Sequence, residues 1–207
     1  MRIFAILILL ISSLSAHVSA GPVEALTERL QVIKSISASF TQRVTTANGG
    51  VIQNLSGTLL AQRPGRFRWH TDPPLEQVVV TDGEFVWFYD PDLEQVTVQP
   101  LAGDAANTPA LLFSGDTAQI AAHYEVREQR PGVFVLSPKE KSDLFVQLAI
   151  RFENGMPVEM EILDALGQRT HLTLTQVELN PELPEDAFSF DVPEGVDVIR
   201  GEGLGGG

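Results

Sequence analysis

The sequence contains no cysteine, and its basic residues are few. Without cysteine there are no disulfides to stabilise the fold, so a hydrophobic core must do so alone. The chain has 14 Lys and Arg residues and 27 Asp and Glu residues, which gives a formal net charge of −13. Nucleic acids and anionic membrane surfaces attract positive charge, so we expect neither as a partner.

Motifs of known chemistry are also missing. The chain has no Gly-x-Ser-x-Gly nucleophile turn, no phosphate-binding loop and no dinucleotide fingerprint. Paired carboxylates such as Glu159 and Glu161 alternate along a strand pattern, as they do on solvated faces. Three histidines follow the first twenty residues, each without a second ligand nearby: His70, His123 and His171. We therefore predict no enzyme, no metal site and no cofactor.

The only long hydrophobic run lies at the start of the chain. Residues 3–14 are mostly apolar, Arg2 precedes them, and Val18-Ser19-Ala20 resembles a cleavage site. This pattern predicts a cleaved signal peptide over residues 1–20. An uncleaved anchor is the alternative, but the apolar run is short for a bilayer.

Residues 21–207 are predicted to form a single domain with a disordered tail at 201–207. Removal of Arg2 with the signal peptide leaves 13 basic and 27 acidic residues, a formal charge of −14. Bacterial lipid anchors are built on a cysteine at the new N-terminus, and Gly21 occupies that position. We therefore expect a free, soluble protein.

Hydrophobic periodicity predicts a mainly β fold with some α-helix. Residues 22–35 have helical spacing, and Asn107-Thr108-Pro109 and Asp116 each mark the start of a further short helix. Strand patterns with intervening turns favour an antiparallel barrel or sandwich of about eleven strands with about three short helices. The predicted strands are 36–46, 51–63, 66–71, 76–82, 84–90, 94–99, 123–129, 133–137, 144–152, 157–164 and 169–178.

Both tryptophans lie in one aromatic segment, residues 63–91. Phe67 and Trp69 alternate with basic residues, and Trp87 and Tyr89 share one face of a later strand. Asp82-Gly83 between apolar strands predicts a hairpin turn. Large rings on adjacent strands either fill a core or line a cavity. The pattern alone favours a core, because packed interiors are commoner than ligand cavities.

Several segments occur in an order and spacing that match one known family. They are SASFTQ (37–42), RPGRFRWH (63–70), VTDG (80–83), VWFYDP (86–91), NTP with the apolar residues behind it (107–113), FVLSPK (134–139) and FSFDVPEGVDVI (188–199). On these segments the chain resembles the periplasmic outer-membrane lipoprotein carriers, the LolA family. The resemblance covers nearly all of residues 21–207.

The resemblance implies a fold and a function. The fold would be an unclosed antiparallel β half-barrel, covered by a lid of short helices, around an apolar cavity for acyl chains. The protein would be a monomeric periplasmic chaperone for acylated lipoproteins. It would accept them from an inner-membrane lipoprotein-releasing ABC transporter and hand them to an outer-membrane lipoprotein acceptor.

The resemblance also implies site residues. Arg63 matches the family's arginine that donates hydrogen bonds to lid carbonyls in the closed, empty state, so we expect it to gate the lid. The alternative is that Arg63 only ends a strand before Pro64. Phe67 would lie near the cavity mouth, or else in the core. The residues expected to line the cavity are Phe40, Leu59, Phe67, Trp69, Trp87, Tyr89, Leu111, Leu112 and Phe113.

Three other functions compete with the carrier. A sensor of hydrophobic ligands could use the same half-barrel, although sensors of this kind usually add a second domain. A periplasmic hydrolase is less favoured, since the catalytic motifs above are missing. An outer-membrane barrel would need strands of about ten residues, and most of these predicted strands are shorter.

Overall fold

Twelve β-strands and two α-helices make up the part of the chain that the structure describes. The computed structural model describes residues 21–101, 112–113, 115–140 and 145–201. The first elements are α1 (Pro22–Gln31), β1 (Ser35–Thr45), β2 (Val51–Gln62), β3 (Arg66–Thr71), β4 (Gln77–Asp82), β5 (Phe85–Asp90) and β6 (Gln95–Pro100). They are followed by α2 (Ala118–His123), β7 (Tyr124–Arg130), β8 (Val133–Pro138), β9 (Gln147–Glu153), β10 (Met156–Leu163), β11 (Arg169–Leu179) and β12 (Asp197–Arg200).

All twelve strands belong to one open sheet. Their spatial order is β12-β6-β5-β4-β3-β2-β1-β11-β10-β9-β8-β7, and every pairing except that of β12 with β6 is antiparallel. The open antiparallel sheet that the family resemblance implied is therefore confirmed, with one strand more than expected, whereas the periodicity alone had favoured a barrel or sandwich. The missed strand, β12, has four exposed residues and pairs with a strand far away in sequence, so no hairpin turn signals it.

The register assigns one face of the sheet to the main core. Phe40 on β1 faces Gly57 on β2, and Leu59 on β2 faces Trp69 on β3. Residues in register with these share the same side, which is called the inner face here. The inner face continues through β11 to β8, where it carries Leu174, Leu172, Met160, Ile150, Phe134 and Leu136. Both helices add buried side chains to this core, so they lie over the inner face.

The opposite, outer face is covered over β4–β6 by the segment that follows β11. The ring of Phe190 lies 6.4 Å from that of Trp87 and 5.7 Å from that of Tyr89. Val80 is in register with Trp87 and Val96 with Tyr89, and both valines are fully buried. A second, smaller apolar layer therefore lies on the outer side of the sheet.

The helices differ from the prediction in length and number. The helix predicted for residues 22–35 ends at Gln31, because Ser35 already pairs with β2. The residues between them form a tighter turn. The Ile33 N–H donates to the Leu30 carbonyl at 3.1 Å in that last turn. Two α-helices, rather than three, are found in the described residues. The helix expected after Asn107-Thr108-Pro109 lies largely outside them, as do the predicted signal peptide and residues 202–207.

The start of α2 agrees closely with the sequence. Asp116 Oδ1 accepts the N–H of Ala118 at 2.9 Å, which satisfies a donor that the first turn of a helix leaves free. None of the helices in the described ranges is long and apolar enough to cross a membrane.

Candidate functional site

Four of the predicted cavity residues lie together on the inner face of β1–β3. The rings of Phe40 and Trp69 stack with centroids 3.8 Å apart, and Phe67 lies 6.2 Å from Trp69. Leu59 is in register with Trp69 and is 1% exposed. The Phe40 ring lies directly against the backbone of Gly57, where a Cβ would come within 2.7 Å of it. These side chains form a continuous apolar surface, the aromatic surface.

Two of the predicted cavity residues are placed wrongly by the sequence. Trp87 and Tyr89 lie in register with Val80 and Val78 on the outer face. Their neighbours in β5, Val86 and Phe88, point to the inner face instead. The alternation within the strand was correct, but it does not say which face is inside, because the adjoining strand is apolar on both faces.

The sequence reasoning also missed half of the inner surface. Apolar residues of β8–β11 complete it, and all are buried: Phe134, Leu136, Leu148, Ile150, Phe152, Met160, Leu172 and Leu174. The signal that would have found them is the period-two alternation of aliphatic residues in these strands. These aliphatic residues lie outside the aromatic segment, residues 63–91.

The segment before α2 contributes to the cover of this surface. Phe113 is 1% exposed and belongs to the core cluster, and Leu112 packs against that cluster. Leu111, the third residue expected here, lies outside the described residues. Ile120 of α2 and the α1 residues Leu26 and Leu30 are buried in the same cluster. The two helices and residues 112–113 thus form one cover over the inner face.

Arg63 joins this cover to the sheet. It follows the last residue of β2, and its side chain donates to the Ile33 carbonyl at 2.9 Å and to the Leu112 carbonyl at 2.8 Å. It also donates to the carbonyls of Gly115 and, at 3.4 Å, Leu30. The four acceptors are backbone oxygens of α1 (Leu30), of the turn that follows it (Ile33) and of the segment before α2 (Leu112 and Gly115).

The sequence explains why an arginine suits this position. The last carbonyls of a helix have no partner within the helix, and a cation is favourable near that end of the helix dipole. A guanidinium supplies five donors in a fixed plane, enough for several carbonyls at once. Burial lowers the pKa of Arg63 from its ordinary value, and the nearby carboxylate of Asp116 opposes that shift. The group therefore depends on its carbonyl partners to replace lost water.

The chemistry of this arrangement is that of enclosure. The inner face presents hydrocarbon and aromatic carbon to the cover, and Arg63 supplies polar contacts at its edge. Within residues 21–101, 112–113, 115–140 and 145–201, no group of three or more His, Asp or Glu side chains is placed to bind a metal ion. Such a surface binds apolar chains by removing them from water.

Comparison with known proteins agrees with this geometry. The family model described as "Outer membrane lipoprotein carrier protein LolA" matches residues 31–191. An outer-membrane lipoprotein carrier protein from Hahella chejuensis is 45% identical over 195 residues, covering 92% of this chain and 93% of that protein. One from Pseudomonas fluorescens is 39% identical over 202 residues, covering 96% of this chain and 98% of that protein.

Solved structures show the same fold at low identity. A LolA superfamily protein from Nitrosomonas europaea superposes with a TM-score of 0.50 at 15% identity, covering 83% of this chain and 99% of that one. An uncharacterized conserved protein from Thermus thermophilus gives 0.53 at 14% identity, covering 85% of this chain and 97% of that one. At this identity the likeness concerns the fold alone. The family match and the close relatives decide the assignment: the chain belongs to the outer-membrane lipoprotein carrier (LolA) family.

Proposed function

We propose that this protein carries lipoproteins across the periplasm. It accepts them from an inner-membrane ABC transporter, shields their acyl chains between the sheet and its cover, and delivers them to an outer-membrane acceptor. It performs no catalysis. In this proposal the sheet is the half-barrel wall, and α1, α2 and residues 112–113 are the lid.

The observation that carries the proposal is the contact of one arginine with four backbone carbonyls, two at the end of α1 and the turn after it and two in the segment before α2. Arg63 links β2 to Ile33, Leu112 and two further carbonyls directly above a buried apolar surface. We interpret this arrangement as the closed, empty state. The side chains of sheet and lid that would contact acyl chains are then packed together, which explains why Phe40 on the sheet and Phe113 in the lid are each only 1% exposed.

The energetics require such a lid. Burial of one methylene group is worth about 0.8 kcal/mol, so a sixteen-carbon chain is worth about 12 kcal/mol. A lipoprotein with several chains would cross water negligibly slowly without a carrier. A carrier that bound all of this hydrocarbon without opposition would not release it. Hydrogen bonds from a charged donor, worth about 1.5–3 kcal/mol each, oppose opening and so favour release.

The proposal is tested by replacing Arg63. Purified protein is incubated with spheroplasts, and newly made lipoprotein in the supernatant is captured on the carrier. The wild-type protein should release lipoprotein from the spheroplasts and pass it to outer-membrane vesicles. Arg63→Leu should accept lipoprotein at least as well but retain it, because the closed form has lost the contacts that compete with cargo.

Two further variants make the result specific. Arg63→Lys keeps the charge but offers fewer donors, so its release should fall between that of the wild type and that of Arg63→Leu. Arg66→Leu removes an exposed arginine at the start of β3 and should behave as the wild type. Wild-type protein that brings no lipoprotein into the supernatant would overturn the carrier function. Normal release by Arg63→Leu would overturn the gating role.

A further inference from the structure

A second arginine connects the cover to the other half of the sheet. Arg29 lies in the last turn of α1, and its guanidinium carbon is 5.6 Å from the ring centroid of Phe134 and 5.8 Å from that of Phe152. These two rings lie edge to face, with centroids 6.1 Å apart. A guanidinium within about 6 Å of an aromatic centroid is attracted by the ring's electron-rich face.

The two rings lie in the half of the sheet that Arg63 does not contact. Phe134 is on β8 and Phe152 is on β9, whereas Arg63 follows β2. In the order of the sheet, β2 lies on one side of β1 and the pair β8–β9 lies on the other. The helix α1 is therefore fastened to both halves of the open sheet, by Arg63 on one side and by Arg29 on the other.

We propose that the contact of Arg29 with Phe134 and Phe152, the Arg29 latch, is a second determinant of lid closure. It rests on the proposed carrier function, because lid closure is what opposes cargo. When α1 lifts for an acyl chain to enter, Arg29 leaves the two rings. The rings are buried parts of the inner surface, 0% and 6% exposed, and both would then face the chain. The acyl chain then contacts the two rings that Arg29 contacts in the closed state.

The latch differs from Arg63 in the chemistry it requires. The Arg63 contact needs several donors in fixed directions, and a lysine supplies only part of them. The Arg29 latch needs a cation over rings, and lysine also provides one. A side chain of similar length without charge does not. Arg29→Lys should therefore preserve closure, whereas Arg29→Met should weaken it.

The latch is first measured without any lipid. The chain has no native cysteine, so spin labels at Gln31→Cys on α1 and Gln129→Cys on β7 would be unique. Both residues are exposed. In Arg29→Met the distance distribution between the labels should gain a longer component, and in Arg29→Lys it should match the parent. Lys34→Met removes an exposed cation just after α1 and is the matched control. Identical distributions in Arg29→Met and the parent would overturn the latch.

The second measurement uses a fluorescent tripalmitoylated cysteine peptide and phosphatidylethanolamine–phosphatidylglycerol vesicles. Arg29→Met should bind the peptide more tightly and release it to vesicles more slowly, by between about twofold and about thirtyfold, the range of a partly desolvated cation–π contact. Arg29→Lys and Lys34→Met should stay within about twofold of the parent. Weaker binding by Arg29→Met would mean that Arg29 only stabilises the fold, and would overturn the proposal.

Two controls keep the outcomes separate. If Arg29→Met does not fold, Phe152→Leu removes one ring while leaving the cation, and the same change in label distances is expected of it. If the parent binds no lipopeptide but the label distances still respond to Arg29→Met, the latch stands and the carrier function fails. If the parent binds and releases lipopeptide but the distances do not respond, the carrier function stands and the latch fails.

Discussion

At the scale of single residues, Gly57 is where the aromatic surface comes closest to the backbone. A Cβ at this position would overlap the carbonyl oxygen of His70 and lie 2.7 Å from the Phe40 ring. Gly57→Ala should therefore displace that ring or the neighbouring strand and cost about 1–3 kcal/mol of unfolding free energy, as overpacked cores do. Urea unfolding measures the change. Thr58→Ala, an exposed neighbour on the outer face, should cost less than about 0.5 kcal/mol. Equal unfolding midpoints for Gly57→Ala and the parent would contradict this account.

The carboxylate of Glu159 makes stability depend on pH. Arg151 donates to it with two nitrogens, each 2.7 Å from a carboxylate oxygen, and this hydrogen bonding holds the pKa of Glu159 below its ordinary value of 4.5. Because the pKa is lowered on folding, the contribution is present above about pH 4.5 and is lost as the pH falls through the folded-state pKa. Glu159→Gln should thus lower the urea midpoint at pH 7.

The difference between Glu159→Gln and the parent should shrink as the pH falls below about 4.5, because both then carry a neutral group. Glu125→Gln, at an exposed carboxylate on β7, is the control and should show little change at either pH. The Arg151–Glu159 pair is partly exposed to solvent, so its contribution to stability is small and becomes weaker in high salt. A difference between variant and parent that does not change with pH would rule out this origin.

At the scale of elements, the segment between β11 and β12 stabilises the outer side of the sheet. Its Phe188 is 3% exposed, and its Phe190 lies against Trp87. Phe188→Ala should cost about 3–5 kcal/mol, the usual cost of removing a buried phenylalanine ring. Val192→Ala in the same segment should have little effect, since this side chain is 43% exposed. Similar losses in the two variants, measured by urea unfolding, would show that this segment does not pack as a layer.

Elements with a local pattern were predictable from the sequence. The alternation in β3 identified the shared face of Phe67 and Trp69, because Arg66, Arg68 and His70 occupy the other face. The start of α2 was predictable because Asp116 is a local signal. The length of α1 was overestimated, because the helical spacing of apolar residues continues to Ile33, whereas Ser35 already pairs with β2 in the sheet.

Features set by distant partners were not predictable in the same way. Trp87 and Tyr89 were assigned to the cavity because nothing near them reveals that Phe190 covers the other face. The strand β12 was missed because its partner β6 is remote in sequence. Arg63 was identified through the family resemblance, since its acceptors come from separate parts of the chain, before β1 and before α2.

At the scale of the whole molecule, the open sheet makes the lid both possible and necessary. A closed barrel would have a fixed interior, whereas the linear order from β12 to β7 leaves one side to be covered by helices. Arg63 and Arg29 fasten that cover at separate points. In the proposed mechanism both arginines act on the lid and not on the acyl chain.

This separation of lid and chain predicts how binding depends on the cargo. Each palmitoyl chain is worth about 12 kcal/mol when it leaves water, but nearly the same amount is gained in a membrane and on an apolar protein surface. The distribution of lipopeptides between carrier and vesicles should therefore change by less than about tenfold per added chain, until the space is full.

Arg63→Leu should shift this distribution toward the carrier by one common factor for mono-, di- and tripalmitoylated peptides. The measurement is the fraction of fluorescent peptide that stays with the carrier after vesicles are removed, with Arg66→Leu as the control. A shift that grows with the number of chains would show that Arg63 contacts the cargo itself, and that the lid is not where it acts.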